Sequence, residues 1–358
     1  MQLRHRVGLS LLAAGSCLSP AHQAAAIDTR RADVAGFIEH MVAREAYDPH
    51  TLRRILRAAR TQPAIVAAME KPAEKRLAWY RYRPIFVNEQ RIQEGVDFWL
   101  AHRRDLERSS ARTGVAPQYL VAIVGVETYY GRLTGNYRVL DALSTLAFDY
   151  PPRARFFRGE LAQFLLLARD QRIDPLTAMG SYAGAMGAPQ FMPSSYRRFG
   201  LDATADGHVD LWSNWPDVFD SVGYFLEEHG WSAGQAVLRD ATVAPGSVPK
   251  PAGPDLGAAT TVAALRAEGV HIDDAPGADR RAWLIAAKQA NGVAWRVGFG
   301  NFYAITRYNH SPLYAMAVHD LAVAVQRRVD ASLEPLAEMA HHPPIASQRG
   351  TPRPTPRT

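Results

Sequence analysis

Apolar positions recur at helical spacing through the first third of the chain. Phe37, Ile38, Met41 and Val42 share one face. Asp48-Pro49 supplies an N-cap with proline at the first helical position, and Leu52, Ile55, Leu56 and Ala59 carry the helix that follows. A third helix is predicted through Ile92, Val96, Trp99 and Arg103. Pro117 opens another, with an apolar stripe of Leu120, Ile123 and Val124 and Gly131 as its stop. After Trp231 the texture changes. Pro245, Pro249, Pro251 and Pro254 mark a loop-rich stretch, and Thr260 to Gly269 reads as a short capped helix. Trp283, Ile285 and Ala287 alternate, Asn291-Gly292 signals a type I′ turn, and Val293, Trp295 and Val297 alternate again. Ser311-Pro312 opens a last helix to about Arg328. The pattern predicts a mainly α protein with a small α/β hairpin subdomain. Residues 27–112 form an N-terminal helical region packing with 305–330, 113–235 a core, 236–304 the α/β subdomain, 305–340 a C-terminal helix and 341–358 a disordered tail rich in Pro and Arg.

The 358 residues are 47% hydrophobic and 21% charged, the balance of a soluble globular protein with a sizeable core. The net charge of +6 points to a polyanionic neighbour. Its positive charges are scattered, with no run of five or six, so a nucleic-acid arm is not expected.

The N-terminus bears on compartment. Arg4, His5 and Arg6 precede an apolar stretch from Val7 to Leu18, and Ala24-Ala25-Ala26 offers a small-residue cleavage site, so residues 1–26 read as a signal peptide. The stretch is too short to span a bilayer. Cys17, the only cysteine, lies within it, and cleavage after Ala26 leaves a cysteine-free mature protein. The alternative is a lipoprotein signal at Ala14-Gly15-Ser16-Cys17, with Cys17 lipidated and the chain held at the outer membrane. Ala14 stands where such a signal usually has a larger aliphatic residue.

The position that carries chemistry is Glu127, at the next i+3/i+4 place on the stripe of Leu120, Ile123 and Val124. A glutamate there points into the protein or into a cleft. Desolvation disfavours its charged form, and a neutral carboxylic acid is what a leaving sugar oxygen needs as proton donor. A buried glutamate paired with Arg132 or Arg153 fits the spacing equally well.

Three blocks bear on that choice. They are Val124-Gly125-Val126-Glu127-Thr128-Tyr129-Tyr130-Gly131-Arg132, the run from Ser181 through Gly184, Gly187, Gln190 and Phe191 to Tyr196, and Ile305 through Tyr308-Asn309-His310-Ser311-Pro312 to Ala315. In this order they resemble the lytic murein transglycosylase B family, glycoside hydrolase family 103, over most of residues 30–330. The resemblance implies a lysozyme-like helical core and a peptidoglycan substrate, and the signal peptide adds the expectation of a periplasmic enzyme, taken as a monomer. It implies cleavage of the β-1,4 bond between N-acetylmuramic acid and N-acetylglucosamine without water, leaving a 1,6-anhydromuramoyl end. Glu127 matches the single acid/base, and no cofactor is implied for catalysis. Ser181 matches a serine bonded to that glutamate, Gln190 and Phe191 match residues of the substrate cleft, and Tyr308, Asn309 and Tyr314 match polar residues near the reacting sugar.

Two places depart from the family. Pro152 replaces the first of two paired arginines, leaving Arg153 as the remaining contact to a substrate carboxylate or peptide. The family's EF-hand-like loop reads Asp202, Thr204, Asp206, Gly207 and His208 at positions one, three, five, six and seven, with Ser213 at twelve and Asp217 as the displaced closing acid. A structural calcium and a metal-free Asx turn both fit that pattern. Two functional alternatives stay open: a hydrolytic muramidase using Asp141, Asp149 or Glu160 as a second carboxylate, and a non-catalytic wall-binding scaffold.

Overall fold

The structure is a computed structural model and describes residues 25–70, 77–274 and 276–341. The apolar stretch Val7–Leu18, Cys17 and residues 342–358 of the tail lie outside the described residues. Helices account for 54% of the chain, which makes it mainly α.

The chain begins with β1 (Ala25–Ala26), α1 (Ala32–Glu45) and α2 (Pro49–Ala58), then β2 (Arg60–Thr61), α3 (Pro63–Glu70), α4 (Trp79–Phe86), α5 (Glu89–Ala101) and α6 (Arg103–Thr113). The Asp48 carboxylate caps α2 by accepting the Thr51 N–H at 2.7 Å, as the sequence predicts. β1 pairs antiparallel with β2, and the Ile27 N–H reaches the Ala59 carbonyl at 3.2 Å. The middle of the chain holds α7 (Pro117–Thr128), β3 (Tyr137–Arg138), α8 (Val139–Phe148), α9 (Ala154–Asp170), β4 (Met179–Gly180), α10 (Pro193–Phe199) and α11 (Trp215–Glu228). It ends with β5 (Leu238–Val243), β6 (Thr260–Thr261), α12 (Val262–Ala267), β7 (Val270–Ile272), β8 (Arg281–Lys288), β9 (Val293–Gly298), α13 (Gly300–Tyr308) and α14 (Pro312–His341).

α7 is the axis of the fold, packing against α5, α6, α11 and α14. Every residue from Tyr119 to Thr128 is buried, so its apolar character runs round the whole helix rather than along one stripe. α4 and α5 pack on α14, whereas α6, within the 27–112 region, packs on α11. Residue 112 therefore does not separate two packing units. α14 runs to His341, past the helical pattern that fades near Arg328 and close to the end of the 305–340 segment.

The subdomain is larger than the hairpin read from the sequence. β8 and β9 do pair, but within a five-stranded antiparallel sheet ordered β6-β8-β9-β5-β7. Val262, Leu265, Ile272, Leu284 and Val297 form its own small core. The turn also differs from the type I′ expectation. That type needs positive φ at both central residues, and of Asn291 and Gly292 only Gly292 has it, at 90°. No helix among the described residues is long and apolar enough to cross a membrane.

Candidate active site

Glu127 sits in the last turn of α7 with 5% of its surface exposed. The helix ends on Tyr129 and Tyr130, both left-handed with φ of 53° and 61°, two residues before the expected stop at Gly131. Non-glycine residues in that region cost about 1–2 kcal/mol each, so neighbours must hold them there. The Tyr130 hydroxyl donates to the Arg91 carbonyl at 2.7 Å, Arg91 donates to the Gly125 carbonyl at 2.6 Å, and its guanidinium lies 4.3 Å over the Tyr129 ring. This bracing fixes the direction of the Glu127 carboxyl.

The carboxyl opens on a cavity of about 400 Å³. The Tyr314 hydroxyl donates to Glu127 Oε1 at 2.6 Å. Tyr308 stacks on Tyr314, with centroids 6.4 Å apart, and donates its hydroxyl to the Pro189 carbonyl at 2.6 Å. Burial first, and then the charge of Glu127, hold both phenols well above their ordinary pKa, so both remain proton donors.

The opposite wall is the glycine-rich loop. Met186 and Phe191 exchange backbone hydrogen bonds at 2.8 and 3.0 Å, closing a tight hairpin. Gln190 takes φ of 52° and donates Nε2 to the Thr134 and Gly187 carbonyls, both at 2.9 Å. Its Oε1 is buried without a partner, an acceptor that a sugar hydroxyl or acetamido N–H can satisfy. Phe191 packs against Phe225 and Tyr308, and Asn309 joins the lining after α13.

The transglycosylase SLT domain pattern matches residues 29–323. Membrane-bound lytic murein transglycosylase B of Escherichia coli is 41% identical over 300 residues, covering 81% of each chain. The chain belongs to the SLT-domain family of lytic murein transglycosylases. Its activity is lytic transglycosylation of peptidoglycan, a lyase reaction, and its fold is the lysozyme-like fold of that family. Catenated SltB1 of Pseudomonas aeruginosa is 44% identical with a TM-score of 0.78, over 83% of this chain and 98% of that one. SltB3 of the same organism, solved with NAG-anhNAM-pentapeptide, is 28% identical with a TM-score of 0.74, over 82% and 78% of the two chains.

Within this transglycosylase fold, Glu127, Gln190, Phe191, Tyr308 and Asn309 line one cavity, and Tyr314 reaches it through its bond to Glu127. Besides Tyr314, two predicted residues lie outside the lining. The Ser181 hydroxyl accepts the Ala183 and Ala185 N–H groups at 3.3 and 3.0 Å, which ties the glycine-rich loop together. The Arg153 guanidinium lies 4.4 Å over Phe156, a ring that does face the cavity.

Of the five residues of the predicted metal loop, hydrogen bonds gather Asp202, Thr204 and Asp206. Asp202 and Asp206 both accept from the Thr204 hydroxyl, at 3.4 and 3.2 Å. Asp217 instead uses its two oxygens on the Ala203 and Asp210 N–H groups, at 2.8 and 2.9 Å. The His208 N–H donates to Asp206 at 2.9 Å. Among the described residues no three His, Cys, Asp or Glu side chains are arranged to hold a metal.

Glu160 was only one of three candidate second acids in the sequence, and the structure brings it into the Glu127 cavity. Both its oxygens accept from Ser194, the hydroxyl at 2.7 Å and the N–H at 3.0 Å, so it caps the start of α10. Asp141 is held by Arg138 and Asp149 by Arg31. Arg198, His229 and Arg307 also line the cavity. Sequence reading missed them because no local spacing joins residues so far apart in the chain.

Proposed function

We propose that Glu127 is the single acid and base of the reaction, acting on N-acetylmuramic acid–N-acetylglucosamine strands. The supporting observation is a buried carboxyl facing the cavity and held by Tyr314, while the second acid of that cavity is engaged by Ser194. Burial costs the ionised carboxyl more than the neutral one, which favours a resting acid. Glu127 gives its proton to the bridging oxygen as the C1–O4 bond breaks and positive charge develops at C1. The resulting carboxylate then takes the proton of the same sugar's C6 hydroxyl, and O6 closes on C1. No water enters, and the tethered nucleophile benefits from proximity. Gln190 Oε1 and Asn309 orient the sugar, and Tyr314, with Tyr308 stacked against it, orients the acid. This arrangement favours the non-hydrolytic reading over a muramidase or a scaffold.

The test is Tyr314→Phe. The lost hydrogen bond stabilises the ionised form of Glu127, so its removal raises the pKa of the acid. The alkaline limb of the kcat/KM profile, where protonated Glu127 is lost, moves to higher pH, and the rate falls about tenfold. An unmoved limb would separate Tyr314 from the acid.

We further infer a structural calcium at the loop after α10. Its hard oxygen donors would come from Asp202, Thr204 and Asp206, with the His208 carbonyl and Asp217 completing the loop around it. Burial and the charges of Asp202 and Asp206 raise the pKa of Asp217, a repulsion that a cation relieves. Saturating calcium is expected to add about 2–3 kcal/mol and raise Tm by several degrees, and Asp206→Ala to erase that gain. Equal melting of chelated and calcium-loaded protein would leave the loop metal-free.

The working compartment is the periplasm. A mature N-terminal mass that begins at Ile27 supports soluble export, whereas a diacylated Cys17 places the enzyme on the outer membrane.

A further inference from the structure

The cavity holding Glu127 is not electrically uniform. A row of rings leads away from the acid: Tyr314 bonds Glu127, Tyr308 follows at 6.4 Å, Phe225 at 4.8 Å and His229 at 4.1 Å. At the far end of that row the lining turns cationic, with Arg198 and Arg307 beside His229. The lowered pKa of His229, caused first by burial and then by the charges of Arg198 and Arg307, agrees with both positive charges lying near it.

Two other arginines of this chain show how such a side chain is satisfied. Arg197, next to Arg198, bonds Gln163 at 2.5 Å and Asp170 at 3.2 Å. Arg296 bridges Asp240 and Asp320. Arg198 and Arg307 have no carboxylate partner among the described residues. Both are nevertheless held in place. Arg307 stacks 4.2 Å over Tyr303, which itself stacks on Trp283, and donates to the Thr306 hydroxyl at 3.1 Å. Its Nε is buried without a partner. Arg198 lies 4.9 Å from the Phe199 ring. Arg307, partly buried with no counter-ion and with one unsatisfied donor, carries a desolvation cost that a bound anion repays, and the exposed Arg198 adds a second positive charge to the same lining.

We propose that Arg307 and Arg198 form a carboxylate subsite for the branch carried by the muramic acid, a reading that rests on the proposed cleavage at Glu127. The subsite lies at the far end of a row of four rings that starts at the acid, so it is expected to act on binding and selectivity. The planar fork of a guanidinium matches a carboxylate with two parallel hydrogen bonds. The branch offers a carboxylate from two sources: the peptide stem on intact strands, or the lactyl group on strands whose peptides have been removed.

The experiment measures kcat and KM for release of anhydro ends by the full chain. It compares wild type, Arg307→Gln, Arg307→Lys and Arg198→Gln on peptide-bearing strands and on amidase-stripped strands. Arg307→Gln is expected to raise KM about tenfold on one strand type and far less on the other, with kcat little changed. Arg307→Lys recovers part of the loss. Arg198→Gln, at an exposed site that folding does not need, shows the same selectivity with a smaller size. Selective loss on intact strands assigns the stem carboxylate, and selective loss on stripped strands assigns the lactyl group. Equal loss on both substrates, a fall in kcat alone, or no change would overturn the subsite. Wild-type protein that released no anhydro ends would instead overturn the cleavage reading, whatever the arginine variants did.

Discussion

Glu127→Gln is expected to lower the release of anhydro-muropeptides about 10³-fold while leaving the fold intact. The substitution keeps the shape of the side chain and an oxygen that accepts from Tyr314, but removes the transferable proton. No other cavity acid is placed to replace it, since both Glu160 oxygens are taken by Ser194 at the start of α10. The bracing of Tyr129 and Tyr130 by Arg91 does not involve the carboxyl, so the end of α7 keeps its geometry. Removing a buried ionisable group also spares its desolvation, so Tm should hold or rise slightly. Turnover measured beside thermal melting checks both parts. A variant that turned over at the wild-type rate would move the acid elsewhere.

The second large effect concerns stability, with activity following it. Gly187→Ala should destabilise the protein by about 3 kcal/mol or more and lower Tm by about 6 °C. Gly187 has φ of 69°, and an added Cβ would lie 2.3 Å from the Leu211 carbonyl oxygen. Backbone is what must move, because the Ala188 N–H is bonded to that same carbonyl at 2.7 Å. The Gly187 carbonyl in turn accepts from Gln190 Nε2, so a shift here withdraws the side chain whose Oε1 faces the substrate. Loss of sugar affinity should therefore exceed what partial unfolding alone gives. Melting curves with binding of a chitooligosaccharide at low temperature separate the two, and an unchanged Tm would contradict the packing argument.

Much of this was legible from local sequence. Asp48-Pro49 at α2 and Pro117 at α7 are start signals that the structure uses as such, and α12 is capped by Thr261, one residue after the expected start at Thr260. Glu127 was legible as a position on a buried face, but spacing alone left a structural ion pair equally open; the three blocks and their order carried the functional reading. The stop of α7 was misplaced because tyrosine gives no hint of left-handed backbone, which here depends on Arg91, well outside the block. β5 and β7 went unseen since Leu238–Val243 and Val270–Ile272 are short and weakly alternating, and they become strands only by pairing with each other and β9. Glu160 and the Arg198–Arg307 pair share that difficulty, being joined by tertiary packing across tens to more than a hundred residues.

The central claim is that one buried acid closes the sugar on its own hydroxyl without water. The most direct measurement is mass spectrometry of wild-type products formed in water enriched in heavy oxygen. The account predicts muropeptides lighter than hydrolytic ones by one water and free of the label. Reducing ends carrying the heavy isotope would contradict it.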